Sequence, residues 1–501
     1  MRRVLVMVVS GVALACPAAS AGTVPAPTWL PPSELAGPSR FLIRYPDVAV
    51  NPNGNAIAVW GGGESGVQAR YRPAGGPWQS PTQLASCGGR PRAGVDAVGN
   101  ATVIWIQCGE GETRVFAATR TTTGVWSSPV TLSTAGRYTE NPQLAVASSG
   151  YVVASWAETD GRYWVIQASA LSPGGSWERA MQLSSVGGDS LGSQAVINVG
   201  GAAMVSWTRY DAVGPMVWVA SRDAAGWEPA VNLSQPGAQG SSPSLAIDHR
   251  GDAIAVWNEN GQGQSSFRPS SGSWQEPERF PWFAARDLVF DGDGSALAVW
   301  PASDAIWVSE RPASGGWGEP VLAGRQERSS ATTSLEIAFE GRGAIVIWGR
   351  QSPDGHGRID AAYRQAGEPS WQQPVELVVE GLASDARYSV ADDNAVAVWE
   401  SAGVDRSVSA AILDAGDPEF HTLRVPSRAH VGRRAVFAAS SYDISPVRVL
   451  WRFGDGTSSR GGHVSHAYRR AGRYRVTVTL ADAAGHEKSA RRTIVISGAG
   501  R

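Results

Sequence analysis

The five residues Ala56-Ile57-Ala58-Val59-Trp60 begin the pattern that decides the fold of this 501-residue chain. Short apolar runs that end in tryptophan recur along most of its length. The eight runs occupy residues 56–60, 101–105, 152–156, 202–207, 253–257, 296–300, 344–348 and 395–399. Successive tryptophans lie 43 to 51 residues apart. The sequence therefore predicts eight copies of one structural unit.

Each repeat contains four predicted β-strands, which we name a to d in chain order. A tight turn such as Asn53-Gly54-Asn55 separates strand a from the tryptophan run, which is strand b. A variable polar loop leads to strand c, at residues 67–72 in the first repeat, and then to an outer strand d with the pattern Trp-x-x-Pro-x-x-Leu, as at residues 78–84. Strand b is apolar at nearly every position, which predicts that both its faces are buried between neighbours. Period and pattern together predict an all-β, eight-bladed β-propeller with the tryptophans in its core.

The way in which the ring closes is also predicted. The eighth repeat lacks a good strand d, whereas the N-terminal residues Trp29, Pro32 and Leu35 carry a spare copy of that pattern. We expect residues 29–35 to pair with residues 407–413 and to complete blade eight. This pairing would hide two sheet edges that are otherwise exposed.

The tryptophan period stops near residue 421, and a different set of motifs follows. Trp451-x-Phe-Gly-Asp-Gly, His466-x-Tyr and Gly472-x-Tyr-x-Val occur in this order over about 75 residues. This segment resembles the PKD domain, and the resemblance implies a small immunoglobulin-like β-sandwich that acts outside the cell as a spacer or contact module. His463 and His466 have a spacing that suits a metal, but His466 belongs to the family's structural motif. We expect no metal site and no cofactor.

These patterns divide the chain into four segments. Residues 1–21 read as a signal peptide, with a basic start, an apolar middle and the cleavage motif Ala19-Ser20-Ala21. Residues 22–420 form the propeller, residues 421–497 the PKD domain and residues 498–501 a tail. No later segment is long and apolar enough to span a membrane. We expect a secreted or cell-surface protein, and a lipid anchor through Cys16 is the alternative.

Charge and cysteine content narrow the partners and the compartment. The net charge of −2 and the pI of about 6.4 provide no basic excess for binding nucleic acid. Cys87 and Cys108 are the two cysteines left after removal of the signal peptide, and they lie at similar distances on either side of the a–b turn of the second repeat. Pairing of the two strands in register brings these residues together, so we predict a disulfide bond between them.

The repeats are similar to BNR and sialidase-like propellers, but their motif is degenerate. The turns at residues 172–177 and 311–317 keep the glycines and the tryptophan of the Asp-box and lose its aspartate. A sialidase also needs three arginines around the substrate carboxylate, and Ile43-Arg44-Tyr45-Pro46 differs in order from the family's first arginine motif. Other nucleophile, zinc-protease and phosphate-binding motifs do not occur in the sequence. We expect a binding protein with no catalytic residues.

The predicted ligand surface is the face that carries the b-to-c loops, because these loops are variable and polar. Either they are ordinary solvated loops or they form an acidic rim, with Tyr and Arg between the acids, that binds an extracellular glycan or protein. The candidate residues are Glu64, Glu110, Glu158, Asp160, Tyr163, Arg209, Tyr210, Asp211, Glu259, Asp304, Arg350, Asp354, His356, Arg358, Glu400 and Asp405. Two alternative functions are a sialidase-like glycosidase or polysaccharide lyase, which requires two arginines and a carboxylate pair at the channel mouth, and an architectural envelope scaffold.

Overall fold

The computed structural model describes most of the chain beyond the predicted signal peptide. The described residues are 27–39, 44–62, 66–109, 112–159, 161–235, 237–282, 284–302, 304–325, 331–340, 343–351, 357–379, 386–391, 394–401 and 406–498. Within these ranges all regular structure is β, in ten sheets, and no helix has the length and hydrophobicity to cross a membrane. The predicted signal peptide, its cleavage motif and Cys16 lie outside the described residues.

Eight of the ten sheets are the predicted blades. Two strands precede the first blade: β1 (Thr28–Trp29) and β2 (Ser33–Ser39). Blade 1 contains β3 (Arg44–Val50), β4 (Ala56–Gly61), β5 (Val67–Arg72) and β6 (Thr82–Ala85). Blade 2 contains β7 (Gly89–Val95), β8 (Ala101–Gly109), β9 (Glu112–Arg120) and β10 (Val130–Thr131). Blade 3 contains β11 (Thr139–Val146), β12 (Val152–Thr159), β13 (Trp164–Leu171) and β14 (Met181–Gln182). Blade 4 contains β15 (Asp189–Ile197), β16 (Ala203–Asp211), β17 (Gly214–Asp223), β18 (Gly226–Trp227) and β19 (Val231–Asn232).

The remaining blades follow the same order. Blade 5 contains β20 (Gly240–Ile247), β21 (Ala253–Glu259), β22 (Gln262–Arg268) and β23 (Glu278–Arg279). Blade 6 contains β24 (Asp287–Phe290), β25 (Ala296–Ala302), β26 (Ala305–Arg311) and β27 (Val321–Arg325). Blade 7 contains β28 (Ala331–Glu340), β29 (Gly343–Gln351), β30 (Gly357–Gln365) and β31 (Val375–Val379). Blade 8 contains β32 (Arg387–Ala391), β33 (Asn394–Ser401) and β34 (Arg406–Asp414), and the N-terminal strands complete it.

Strand b forms the hydrophobic core of every blade. All six residues of β4 are buried, as are the first eight of β29, so the prediction of two buried faces is confirmed. The eight tryptophans that end the runs are at most 3% exposed. Each packs with strands of a neighbouring blade; Trp60, for example, packs with Val396 and Val398 of blade 8. Burial between blades therefore explains why the tryptophan recurs.

The predicted closure of the ring is confirmed. Trp29 pairs with Leu413 and Ser33 pairs with Ala410, both antiparallel. The Trp29 indole also donates a hydrogen bond of 3.4 Å to the carbonyl oxygen of Val375 in blade 7. The first described strands therefore provide the outer edge of the last blade.

The last two sheets form the C-terminal sandwich. Their strands are β35 (Glu419–Arg424), β36 (Arg428–His430), β37 (Arg434–Tyr442), β38 (Arg448–Arg452), β39 (Ser458–Arg460), β40 (His463–Ala467), β41 (Gly472–Ala481) and β42 (Glu487–Ser497). One sheet has the order β35-β37-β40 and the other the order β36-β42-β41-β38-β39. Trp451, Phe453 and Tyr468 are buried between the two sheets. His466 stacks on Phe453 and lies 2.7 Å from Asp455, which is consistent with its predicted structural role.

The sandwich packs against the propeller face that carries the a–b and c–d turns. Ile444, in the loop between β37 and β38, is fully buried and packs with Val48, Ala56 and Trp60 of blade 1. A Cβ atom added to Gly54, in the a–b turn of blade 1, would lie 2.8 Å from the Cα atom of Ile444. This close backbone approach fixes one edge of the sandwich on blades 1 and 8.

The contact at Gly54 can be tested by adding a methyl group. Gly54 has a φ of 82° and Gly174, in the c–d turn of blade 3, has a φ of 69° with nothing within 4 Å of an added Cβ. Gly174→Ala should cost about 1 kcal/mol for the left-handed backbone alone. Gly54→Ala should cost at least about 1 kcal/mol more, because Ile444 must shift. Urea unfolding followed by tryptophan fluorescence measures both, and equal losses of stability would contradict the contact between Gly54 and Ile444.

Candidate functional site

A repeated backbone feature marks the start of strand a in the first five blades. Tyr45, Arg90, Asn141, Gly192 and Ser242 all have a positive φ, between 49° and 66°. The pairing of strand a with strand b shifts register at each of these positions. A β-bulge of this kind re-aims the next side chain, and such strained positions cluster at functional sites.

In all eight blades, one residue of strand a occupies the position that follows the bulge in blades 1 to 5. It pairs with the residue immediately before the blade tryptophan, as Asp47 pairs with Val59. The eight residues, which we call the channel ring, are Asp47, Arg92, Gln143, Gln194, Ser244, Asp287, Glu336 and Arg387. All except Ser244 line a cavity of about 570 Å³ on the propeller axis.

Three members of the channel ring accept hydrogen bonds from the backbone of the next blade. Asp47 Oδ2 accepts a 2.9 Å hydrogen bond from the backbone N–H of Ala93 in blade 2. Gln194 Oε1 accepts one of 2.7 Å from the N–H of Leu245. Asp287 Oδ2 accepts one of 2.9 Å from the N–H of Ile337. In each case the donor follows the next blade's ring residue, so these side chains hold the ring closed while they line the channel.

The acidic members of the channel ring titrate above their usual range. Burial raises the pKa of Asp47, and the Arg92 guanidinium offsets part of this shift. Burial also raises the pKa of Asp287 to about 6. Burial and the negative charges of Asp287 and Asp47 raise the pKa of Glu336 well above its usual value. These carboxyl groups therefore keep their protons to a higher pH than exposed carboxyl groups do, a property that general acids share.

A smaller cavity lies at the bulge end of the channel, and we call it the arginine pocket. Its volume is about 210 Å³, and its lining is formed by Tyr45, Pro46, Arg90, Arg92, Asn141, Pro142 and Arg387. Two blades thus contribute three guanidinium groups, and the described lining residues include no acidic side chain. Arg387 is exposed, whereas Arg92 is half-buried and lies 4.0 Å from Asp47 beneath the pocket. The arrangement suits an anionic group.

Hydrogen bonding and ring contacts hold the outer arginine in place. Arg90 Nη1 donates a 2.8 Å hydrogen bond to Asn141 Oδ1. The Arg90 guanidinium also lies 5.4 Å from the centroid of the Tyr45 ring. The Tyr45 side chain is 36% exposed at the rim. The pocket therefore has an ordered cation beside an accessible aromatic ring.

A mostly apolar groove continues outward from the arginine pocket. It measures about 370 Å³, and it is lined by Tyr45, Gly62, Gly88, Gly89, Arg90, Ile106, Cys108, Thr113, Thr139 and Glu140. Cys108 and Cys87 form the predicted disulfide bond, with a Cα–Cα distance of 6.0 Å. The disulfide fastens the start of strand a of blade 2 to the end of its strand b. It therefore stabilises one wall of the groove.

The predicted ligand residues are distributed differently from the expected rim. Glu64, Glu110, Asp160, Asp354, His356 and Asp405 lie outside the described residues. The sequence placed the others in b-to-c loops, whereas strand b extends through Glu158, Arg209, Tyr210, Asp211, Glu259, Arg350 and Glu400, and Arg358 lies in strand c. The hairpins are tighter than predicted because b and c stay paired almost to the turn, as at Asp211 and Gly214.

Several of these side chains make structural contacts. Glu158 and Glu259 are buried, and each accepts a hydrogen bond from the indole of the blade tryptophan two residues earlier, at 3.3 and 2.8 Å. Arg350 bonds to Asp360 at 2.6 Å within blade 7. Their contacts are thus within the protein, and a ligand-binding role for these residues remains a prediction.

Most of the other described candidates form ion pairs between an arginine and a nearby carboxylate. Arg358 bonds to Glu376 at 2.7 Å, and Glu400 pairs with Arg406. Arg209 lies 3.3 Å from Asp211. Tyr210 is 47% exposed, and Tyr163 and Asp304 are half-buried. None of these side chains lines the arginine pocket, so the structure separates them from that site.

Sequence reasoning missed the channel ring and the arginine pocket. The sequence does contain a signal for the ring, because a polar residue directly follows a proline in the mainly apolar strand a of four blades. The pairs are Pro46-Asp47, Pro91-Arg92, Pro142-Gln143 and Pro243-Ser244. Proline within a strand indicates an edge or a bulge, and the polar residue after it then points into the channel. Convergence of arginines from blades 2 and 8 depends on ring geometry, which the motifs alone do not give.

The raised pKa of Asp287 predicts a specific pH dependence of stability. Its folded pKa of about 6 exceeds the unfolded value of about 4, so stability falls as pH rises between these values and stays lower above them. Asp287→Asn can still accept the hydrogen bond from Ile337 and removes the charge. The variant should match wild type near pH 4 and exceed it by on the order of 1 kcal/mol at pH 7. Urea unfolding across this range is the measurement, with the exposed Glu276→Gln as control; parallel curves for wild type and Asp287→Asn would disprove it.

Comparison with known proteins identifies the C-terminal domain and finds distant structural similarity for the rest of the chain. Residues 417–497 match the PKD domain, and no curated protein matches the chain. A protein of unknown function from Dyadobacter fermentans is 11% identical, with a TM-score of 0.41 over 78% of this chain and 99% of that chain. The polysaccharide lyase Uly1 is 8% identical, with a TM-score of 0.42 over 74% of this chain and 90% of that chain. The NanB sialidase of Streptococcus pneumoniae is 9% identical, with a TM-score of 0.36 over 74% of this chain and 93% of that chain. At this level the similarity carries no functional argument. The chain combines a propeller similar to those of sialidases and polysaccharide lyases with a C-terminal PKD domain.

Proposed function

We propose that this chain is an extracellular recognition protein that binds an anionic polymer, a glycan with carboxylate or sulfate groups, at the arginine pocket. The observation that supports this most directly is the convergence of Arg90, Arg92 and Arg387 on one cavity whose described lining is otherwise uncharged. Guanidinium groups bind carboxylate and sulfate oxygens through paired hydrogen bonds. The channel mouth therefore replaces the b-to-c rim as the preferred binding surface.

The neighbouring groove suits the rest of such a polymer. Tyr45 and Arg90 line both cavities, so a chain bound by its acidic group continues directly into the apolar groove. Tyr45 presents a partly exposed ring on which the apolar face of a sugar can pack. An acidic group in the pocket and a sugar ring over Tyr45 would together occupy both cavities.

Burial shifts the ionisable groups near the pocket toward their neutral forms. The Tyr388 hydroxyl accepts a 2.8 Å hydrogen bond from Ser334, and burial raises the pKa of its phenol, so the phenol stays protonated. The acidic members of the channel ring also have raised pKa values. A hydrolase or lyase is the second candidate, since three arginines and three carboxyl groups line the channel, and a raised carboxyl pKa suits a general acid.

The position of the PKD domain is compatible with this proposal. It contacts the face with the a–b and c–d turns at Gly54 and Gly75, whereas the bulges at the arginine pocket lie at the opposite end of strand a. The PKD fold and the disulfide are typical of extracellular proteins. We infer that the domain fixes the orientation of the propeller and leaves the arginine pocket open to solvent.

The proposal is tested by removing single charges from the pocket. Arg90→Gln and Arg387→Gln should each weaken binding to an acidic polysaccharide such as polygalacturonate about 10-fold, because each removes a charged hydrogen bond. Arg179→Gln, at an exposed arginine in the outer part of blade 3, removes the same charge elsewhere and should leave binding unchanged. Binding should weaken with added salt, and a neutral polysaccharide should not bind.

Two outcomes would contradict the proposal. Equal binding by the two pocket variants and the Arg179→Gln control would locate the binding surface elsewhere. Release of unsaturated or reducing ends from the polysaccharide by wild type, lost in the pocket variants, would establish the enzymatic alternative instead.

A further inference from the structure

A buried polar cluster lies where the PKD domain meets the propeller, away from the arginine pocket. Asp414 ends strand c of blade 8, and Asp482 and His486 flank the turn between β41 and β42. One ligand atom from each of these three residues lies within 4.8 Å of the others. His486 Nδ1 is 2.9 Å from Asp482 Oδ2 and 3.6 Å from Asp414 Oδ1. The cluster therefore joins side chains of two domains.

Much of the hydrogen-bonding capacity of the cluster is unused among the described residues. Asp414 is fully buried, and neither of its carboxylate oxygens accepts a hydrogen bond. Asp482 Oδ2 and both ring nitrogens of the buried His486 also have no hydrogen bond of normal geometry. Asn394, the cross-strand partner of Asp414, has a buried amide oxygen in the same condition. Buried polar groups without partners are costly, so this concentration of them requires a partner.

The charges of the cluster point to what that partner is. Asp443, from the loop between β37 and β38, interacts electrostatically with Asp414 and Asp482. Arg72 of blade 1 is buried beside Asp443 and Asp414. Three carboxylates thus face one guanidinium and one imidazole, so a divalent cation would balance the group without protonating any of them.

We propose that Asp414, Asp482 and His486 form a divalent transition-metal site, of the kind that Zn²⁺ occupies, which fastens the PKD domain to the propeller. One imidazole and two carboxylates are ligands that Zn²⁺ accepts, with bond lengths of about 2.0–2.2 Å. The Asp482 side chain is already oriented, because its Oδ1 accepts hydrogen bonds from the N–H groups of Gly485 and His486 and leaves Oδ2 for the ion. Oriented ligands of this type are typical of structural sites.

The first test measures bound metal in the full-length mature protein. The protein is produced with equal concentrations of Zn²⁺, Mn²⁺ and Ca²⁺, dialysed, and analysed by mass spectrometry for its metal content. We expect one zinc ion per chain, and X-ray absorption should show nitrogen and oxygen ligands without sulfur. Removal of the ion by a chelator should lower the unfolding temperature. Calcium or manganese in place of zinc, or no stoichiometric metal, would overturn the proposal.

The second test assigns the ligands. Asp414→Asn and His486→Gln should each weaken zinc binding at least about 10-fold, and Asp414→Asn leaves the PKD turn intact. His466→Gln is the matched control, since it removes the other close Asp–His pair of the domain and should retain one zinc ion. If Asp414→Asn is folded by circular dichroism and keeps its zinc, the propeller contributes no ligand and the proposal is wrong. A loss of zinc in His466→Gln alone would place the metal at the Asp455 pair.

Discussion

The structure depends on the burial of strand b on both of its faces. An isolated blade cannot satisfy that requirement, because its apolar residues need a neighbour on either side, and so the blades are stable only as a closed ring. The tryptophan that ends each run supplies the largest buried surface, and all eight are at most 3% exposed. The closing contribution of Trp29 and Ser33 follows from the same constraint, because an unclosed blade 8 would leave a sheet edge exposed.

Closure has a polar component as well as an apolar one. Strand a lies nearest the axis, where eight backbones converge and their N–H groups need acceptors. Asp47, Gln194 and Asp287 meet this need for the next blade, and their side chains therefore have to be polar. A wall of polar side chains around a central channel is a consequence of building the ring. In this protein the charged members of that wall, together with Arg90, produce the arginine pocket.

The sequence predicted the features that depend on the repeat and missed the site that forms where distant residues meet. The period of the tryptophan runs, the spare strand before residue 36 and the spacing of Cys87 and Cys108 each depend on local pairing, so they translate directly into the blades, the closure and the disulfide. The arginine pocket draws Arg90 and Arg92 from blade 2 and Arg387 from blade 8, residues that nearly 300 positions separate. Polar residues near the end of strand b were expected to face a ligand. Glu158 and Glu259 instead bond to the indole nitrogens of buried tryptophans, a requirement of the core that hydrophobic patterning does not show.

The two ends of strand a have different roles because different constraints act on them. At the end with the a–b turn, Gly54 permits the PKD backbone to approach, and Asp414 meets Asp482 and His486 across the interface. Tight packing and buried charge make this end sensitive to substitution, since a change in one domain must suit the other. At the bulge end, Tyr45 and Arg387 are exposed, and their replacement would leave the core of the blades intact. The fold thus separates the interface that fixes the two domains from a surface whose residues are able to change without loss of stability.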